Sequence, residues 1–188
     1  MSLTIADLEQ LQQEHPDWQM ELVEGNIIVM GPSDYESDEI SIRFAAKLWN
    51  WVEPRRLGRV TGSSAGFILP RRTKDHATKR NLRAPDVSFV VAHRLKRTQR
   101  DFVELLPDLI VEVKSKTDQI DKLAEKIQMF LSLGTVIGIL IDPDQLTLTV
   151  YRLNQELKVL RNGEILTLPD LLPGWELPIS DLWPPVFE

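Results

Sequence analysis

Residues 109–115 read Leu-Ile-Val-Glu-Val-Lys-Ser, an apolar run that two charged side chains interrupt near its end. Branched apolar residues in such a run are typical of a buried β-strand. Successive side chains of a strand point to opposite faces, so Ile110, Glu112 and Lys114 share one face. The segment therefore predicts a strand that presents a carboxylate and an ammonium about 6.6 to 6.8 Å apart on the same face.

A second carboxylate stands at the start of another predicted strand. Residues 84–88 read Ala-Pro-Asp-Val-Ser, and the proline favours an extended residue before it, which holds Asp86 at the mouth of the strand that follows. Neighbouring strands lie about 4.8 Å apart, so Asp86 and Glu112 can converge. Asp108 precedes Glu112 by four residues on the same strand, about 13 Å away, too far to share one metal ion with it.

Two carboxylates of this kind predict a divalent-metal site with Asp86 and Glu112 as ligands. Oxygen ligands with water and a bound phosphate suit Mg²⁺ or Mn²⁺. Lys114 is expected to orient or deprotonate a water, or to stabilise developing negative charge, and the residues leave these roles open. Alternating Glu and Lys on a half-exposed strand is also common surface chemistry, and an aspartate after proline is often a turn residue.

Three helices are predicted around these strands. The first is short and opens with a capping box of Thr4 and Asp7. The second carries an apolar stripe that includes Phe44 and is expected to end at Pro54. The third spans 118–133, with Asp118 as its N-terminal cap and a glycine as its C-terminal stop.

The remaining strands complete an α/β fold. A hairpin is predicted over 18–30, a pair of strands over 59–62 and 66–69, and a buried strand over 136–141. The last of these has a hairpin partner with Leu146, Leu148 and Val150 facing the core. The proline- and tryptophan-rich tail is expected to pack in extended form over that core. This order predicts a central mixed β-sheet flanked by α-helices.

The composition is typical of a single globular domain and excludes several kinds of metal and membrane protein. With 188 residues, 43% hydrophobic and 27% charged, the chain has the size and character of one globular domain. It has no cysteine, which excludes disulfides and thiolate metal sites, and its three histidines lack metal-binding spacing. No apolar run is long enough to cross a bilayer and no secretory signal opens the chain, so we expect a cytoplasmic protein without membrane contact.

Positive charge is concentrated on both sides of Asp86. The net charge of -6 argues against coating nucleic acid through bulk charge, yet basic residues cluster in the segment 71–100. The residues expected to contact nucleic acid there are Arg71, Arg72, Lys79, Arg80 and Arg83. A solvated pair of loops without a ligand is the alternative.

Four blocks of sequence, in this order, resemble the Uma family of restriction endonucleases of cyanobacterial type. They are 63–67 (Ser-Ser-Ala-Gly-Phe), 84–88, 107–115 and 138–143 (Gly-Ile-Leu-Ile-Asp-Pro). The resemblance implies a single PD-(D/E)XK nuclease-like domain over 1–188 with a restriction-endonuclease-like fold. It also implies Mg²⁺- or Mn²⁺-dependent hydrolysis of DNA phosphodiester bonds by an endonuclease that tends to form homodimers.

The same resemblance makes Asp86, Glu112 and Lys114 the core of the active site. Glu36 resembles a glutamate that the family keeps on its first core helix, although it is equally explained as a first-turn carboxylate. Lys126, on the helix after the catalytic strand, is expected either to contact phosphate or to lie on the polar side of that helix. Two other functions stay open: an inactive nuclease-like fold that binds nucleic acid or regulates, and a protein interaction subunit.

Overall fold

A six-stranded mixed β-sheet forms the centre of the protein, in a computed structural model that describes residues 2–70 and 81–187. The strands are β1 (Gln19–Val23), β2 (Asn26–Met30), β3 (Gly58–Gly62), β4 (Phe67–Ile68), β5 (Leu82–Arg83), β6 (Val87–Val91), β7 (Leu109–Val113), β8 (Ile137–Asp142), β9 (Thr147–Tyr151), β10 (Lys158–Arg161), β11 (Ile165–Leu168) and β12 (Leu172–Pro178). The central sheet has the order β10-β9-β8-β7-β6-β3, and a four-stranded sheet has the order β2-β1-β5-β4. Within the central sheet β7 and β8 run parallel, while its other neighbours are antiparallel.

The helices are α1 (Ile5–Glu14), α2 (Tyr35–Arg55), α3 (Ile120–Leu133) and a 3-10 turn (Ile179–Leu182). The predicted capping box at Thr4 is confirmed, and so is the stop of α3 at Gly134, whose φ is 124°. The expected ends differ at two places. Pro54 lies inside the last turn of α2, because Arg56 closes the helix in the left-handed region with φ 52°. Gln119, rather than Asp118, is the N-cap of α3.

The predicted pairing of 59–62 with 66–69 is wrong. Strand β3 pairs with β6, with Val60 opposite Phe89, whereas β4 pairs with β5 in the other sheet. The two segments enter different apolar clusters: Val60 packs in the cluster beside α2 and Phe67 in the cluster beside α3. Burial in separate cores therefore decides the pairing.

Helices cover both faces of the central sheet, which confirms the predicted α/β architecture. Leu109, Val111 and Val113 of β7 pack in the cluster that contains the buried side of α2. Ile110 faces the other way, into the cluster with α3. The alternation predicted for residues 109–113 is thus confirmed, and it leaves Glu112 on the α3 side of the sheet.

The C-terminal part of the chain packs over the α2 side of the core, as expected. Strands β11 and β12 form a two-stranded sheet, and Trp175 on β12 lies edge-on to Phe44 of α2 with 5.8 Å between ring centroids. In the hairpin after β8, Leu148 and Val150 are buried, but Leu146 is 43% exposed because it occupies the turn with φ 50°. No helix in the described ranges is long and apolar enough to span a membrane.

Candidate active site

Asp86 and Glu112 face each other at the boundary between two central strands. In the antiparallel pair of β6 and β7, Val87 lies opposite Val111, so the register continued by one residue sets Asp86 opposite Glu112. Asp86 Oδ2 accepts a hydrogen bond of 2.7 Å from the backbone N–H of Val113. Both carboxylates line the same cavity, which has a volume of about 560 Å³. We call this space the acidic cavity, after its lining residues Glu21, Asp86 and Glu112.

Lys126 is the cation that contacts these acids. Its Nζ lies 2.8 Å from Glu112 Oε1 and 3.0 Å from Oε2, and 3.3 Å from Glu21 Oε1. The same nitrogen donates to the carbonyl of Ala84 at 3.1 Å. Helix α3 delivers the lysine because the next residue, Ile127, is fully buried against the sheet. Lys126 is therefore part of the acidic cavity rather than a solvated residue on the polar side of α3.

Glu21 is a third acid in the cavity that sequence reasoning missed. It is 4% exposed on β1, its Oε1 accepts the backbone N–H of Ala84 at 2.8 Å, and its Oε2 lies 2.9 Å from Arg83 Nε. Its position depends on the pairing of β1 with β5, which joins residues far apart in the chain. The available signal was an acid flanked by the apolar residues Met20 and Leu22, a pattern that also suits an exposed strand position.

Lys114 is not brought to the acidic cavity. Strand β7 ends at Val113, and the Lys114 Nζ donates to Asp144 Oδ2 at 2.6 Å and to the Ser115 carbonyl at 3.3 Å. The hydrogen bond that Lys114 donates to Asp144 raises the pKa of the Lys114 ammonium. The catalytic role assigned to Lys114 therefore stays a prediction, and its amine is held by a different carboxylate.

The remaining predicted residues lie at different distances from the cavity. Glu36 is exposed in the first turn of α2 and does not line the cavity, whereas Asp38 in the same turn does. Asp118 also lines it, and accepts hydrogen bonds from the N–H and hydroxyl of Ser115 at 2.9 and 2.6 Å. Arg83 lines the cavity but is paired with Glu21. The predicted nucleic-acid contacts Arg71, Arg72, Lys79 and Arg80 lie outside the described residues.

Burial controls the protonation of the site. It raises the pKa of the Glu112 carboxyl to about 8, against the attraction of Lys126, and proximity to Asp86 adds to the rise. Burial also raises the pKa of Asp86, opposed by the hydrogen bond from Val113. For Lys126, burial disfavours the ammonium, but the carboxylates of Glu112 and Glu21 outweigh it and raise its pKa. A cation beside the buried Glu112 carboxyl therefore stabilises its ionised form.

The donor set fits a hard divalent cation in part. Glu112 Oε1 is buried and accepts no hydrogen bond of good geometry from the described residues, although the Lys126 amine is close, so a lone pair remains for a cation. Carboxylate oxygens are the ligands that Mg²⁺ and Mn²⁺ prefer. Among the described residues, however, no group of three or more His, Asp or Glu side chains is arranged to hold a metal. Two carboxylates, with water and substrate oxygens completing the shell, are what this cavity offers.

The chain is similar to nucleases over nearly its whole length. A family model described as "Uma2: Putative restriction endonuclease" matches residues 5–180. A solved structure described as "a putative nuclease belonging to DUF820 from Anabaena variabilis ATCC 29413" has a TM-score of 0.78 and 25% identity, and the alignment covers 96% of this chain and 97% of that one. No curated protein matches. The resemblance noted in the sequence is thus confirmed, and the chain belongs to the Uma2 family.

Proposed function

We propose that the protein is a divalent-metal-dependent endonuclease that hydrolyses phosphodiester bonds of DNA. The observation that carries this proposal is the convergence of Asp86 and Glu112 from neighbouring strands on one cavity, with the Lys126 ammonium between them and Glu21. Membership of a family of restriction endonucleases supports the same chemistry.

Each residue has a definite task in this proposal. Asp86 and Glu112 would hold Mg²⁺ or Mn²⁺, with Asp86 fixed by the N–H of Val113. When bound, such an ion lowers the pKa of a coordinated water and offsets charge on the attacked phosphate. Lys126, charged and nearly buried, stabilises negative charge on a phosphate oxygen that enters the cavity. Glu21 positions Lys126 and Arg83 through its two oxygens.

The test is cleavage of plasmid DNA with Mg²⁺, with Mn²⁺ and with a chelator. We expect nicking or cutting only with metal, and a loss of at least about 100-fold for Asp86→Asn and for Glu112→Gln, since each removes a ligand. Asp170→Asn, an exposed carboxylate outside the cavity, is the matched control and should cut normally. Full activity of either cavity variant would refute the assignment of the ligands.

The two lysines are separated by a paired comparison. Lys126→Met should abolish cutting, whereas Lys114→Met, whose amine contacts Asp144, should retain most of it. Loss of activity only in the Lys114 variant would show that Lys114, and not Lys126, is the catalytic cation. Because Lys126→Met leaves Glu112 buried without a partner, folding is checked by thermal unfolding, and Lys126→Met with Glu112→Gln should recover stability without activity.

One observation favours a second candidate, a nuclease-like module that binds nucleic acid without cutting it. The Lys126 amine already compensates Glu112 at 2.8 Å, as a resident cation would. This candidate predicts salt-sensitive DNA binding and no turnover with either metal. Metal-dependent turnover that Asp86→Asn abolishes would exclude it.

A further inference from the structure

A second cavity, of about 740 Å³, lies at the edge strand β3 of the central sheet, lined by residues from β3, β6 and α2. Along β6 the side chains of Ser88 and Val90 share a face with Asp86, which precedes the strand, because side chains alternate. Val90 lines the second cavity, and so does Thr61, which lies opposite Ser88 on β3 with 2.6 Å between the hydroxyl oxygens. The two cavities are therefore neighbours, with this hydroxyl pair between them.

Consecutive residues also connect the two cavities: Ser63 lines the acidic cavity and Ser64 lines the second one. A second bridge joins the cavities at their rim: Gln19, which lines the acidic cavity, donates from Nε2 to Ser64 Oγ at 2.8 Å, and Ser64 lines the other. A strand whose phosphate lies at the acids therefore has the second cavity beside it.

The lining of the second cavity suits a flat, uncharged group with hydrogen-bonding edges. Trp49 of α2 is 47% exposed and contributes an indole surface, and Gln12, Gln13 and Gln99 contribute amide donors and acceptors. Among the described lining residues three are acidic and two basic, and the Arg59 guanidinium is engaged by the carbonyls of Leu95 and Lys96 at 3.0 and 2.9 Å. This balance of charge gives a phosphate little electrostatic attraction. Aromatic side chains stack on nucleobases, and amide side chains form hydrogen bonds with their edges.

We infer that the second cavity receives one unstacked base of the nucleic-acid strand whose phosphate lies at the acidic cavity, with Trp49 as its stacking platform. The inference rests on the proposed function, because it takes its ligand from the strand that the acids bind. It makes the cavity a determinant of which sequence or structure the protein engages.

The test uses the full-length protein, without divalent metal, and a single-stranded DNA oligonucleotide that carries 5-iodouracil in place of thymine. Irradiation should link iodouracil to the peptide that contains Trp49, identified by mass spectrometry. Trp49→Ala should lose this cross-link and bind the oligonucleotide about 10-fold more weakly, the loss expected for one base stack. Trp49→Phe, which keeps an aromatic ring, should restore most of the affinity.

The matched control is Tyr35→Ala, an 87% exposed aromatic residue of the same helix that lines neither cavity. It should keep both the cross-link and the affinity. Cross-links only at other aromatic residues, or equal affinity of Trp49→Ala and the unaltered protein, would overturn the inference while metal-dependent cleavage still stands. Absence of any nucleic-acid binding and cleavage would overturn the proposed function together with it.

Discussion

Glu112 couples the stability of the protein to pH. Its pKa is about 8 in the folded protein and 4.5 for a free side chain, so between these values the folded state holds more protons than the unfolded state. The contribution of Glu112 to the free energy of unfolding is therefore most favourable below this window, and it falls as pH rises through the window by up to about 1.4 kcal/mol per pH unit. Glu112→Gln, which has no charge to gain, should show a flatter dependence in urea unfolding measured across the window.

The control for this measurement is Glu176→Gln, an exposed carboxyl on β12, which should follow the unaltered protein. Addition of Mn²⁺ should also flatten the curve of the unaltered protein, because a bound cation favours the ionised carboxylate. An equally steep fall in Glu112→Gln would assign the pH dependence to other groups.

Single side chains were predictable from sequence where local geometry places them. Asp86 and Glu112 were found because strand spacing and one proline suffice to put them at neighbouring strand ends. Lys126 was noticed but not placed, since its contact with Glu112 depends on how α3 turns on the sheet. Lys114 lies outside the cavity because its amine is held by Asp144, a contact that alternation along the strand does not reveal.

At the scale of elements, the fit of α3 on β8 sets the position of Lys126. A Cβ at Gly138 of β8 would collide with Cγ2 of Ile127, the residue after Lys126. Gly138→Ala should therefore push α3 outward, lower the free energy of unfolding by about 1 to 3 kcal/mol, and reduce cleavage by moving the ammonium. Denaturant unfolding and plasmid cleavage measure the two effects.

Gly62→Ala is the matched control, because a Cβ there meets nothing within 4 Å. It should change neither stability nor cleavage by much. If Gly138→Ala were as stable and active as this control, α3 would tolerate displacement, and the close packing would not be what fixes Lys126.

Elements with a strong periodic pattern were predicted well, whereas the pairing of 59–62 with 66–69 was not. Helix α3 and strand β7 are evident from apolar spacing alone, and the hairpin of β1 and β2 follows from Glu24 and Gly25, which adopt φ 49° and 77°. Pairing of β3 with β6 depends on which core buries Val60, a choice made by residues distant in the chain.

For the whole molecule, the uneven charge predicts how DNA binding responds to salt. The net charge is -6, so binding must depend on local basic residues. Replacing Arg71 and Arg72 with alanine should reduce the slope of log affinity against log salt by up to about 0.9 per lost phosphate contact. Fluorescence anisotropy over a range of salt concentrations measures this slope.

A variant with Lys158→Ala and Arg161→Ala loses the same charge from exposed positions of β10 and should keep the original slope. Equal slopes for both variants would show that bulk charge, not the basic segment, governs association. Dimerisation stays a prediction, which sedimentation of the same samples tests.

The parallel pairing of β7 and β8 places two groups of the acidic cavity in one continuous stretch of chain. Parallel neighbours need a crossover, and here α3 supplies it, so Glu112 and Lys126 both belong to the continuous stretch Leu109–Asp142. One short piece of the gene therefore encodes the buried acid, its counter-charge and the scaffold that joins them. Asp86 and Glu21, by contrast, come to the same cavity from segments outside this stretch.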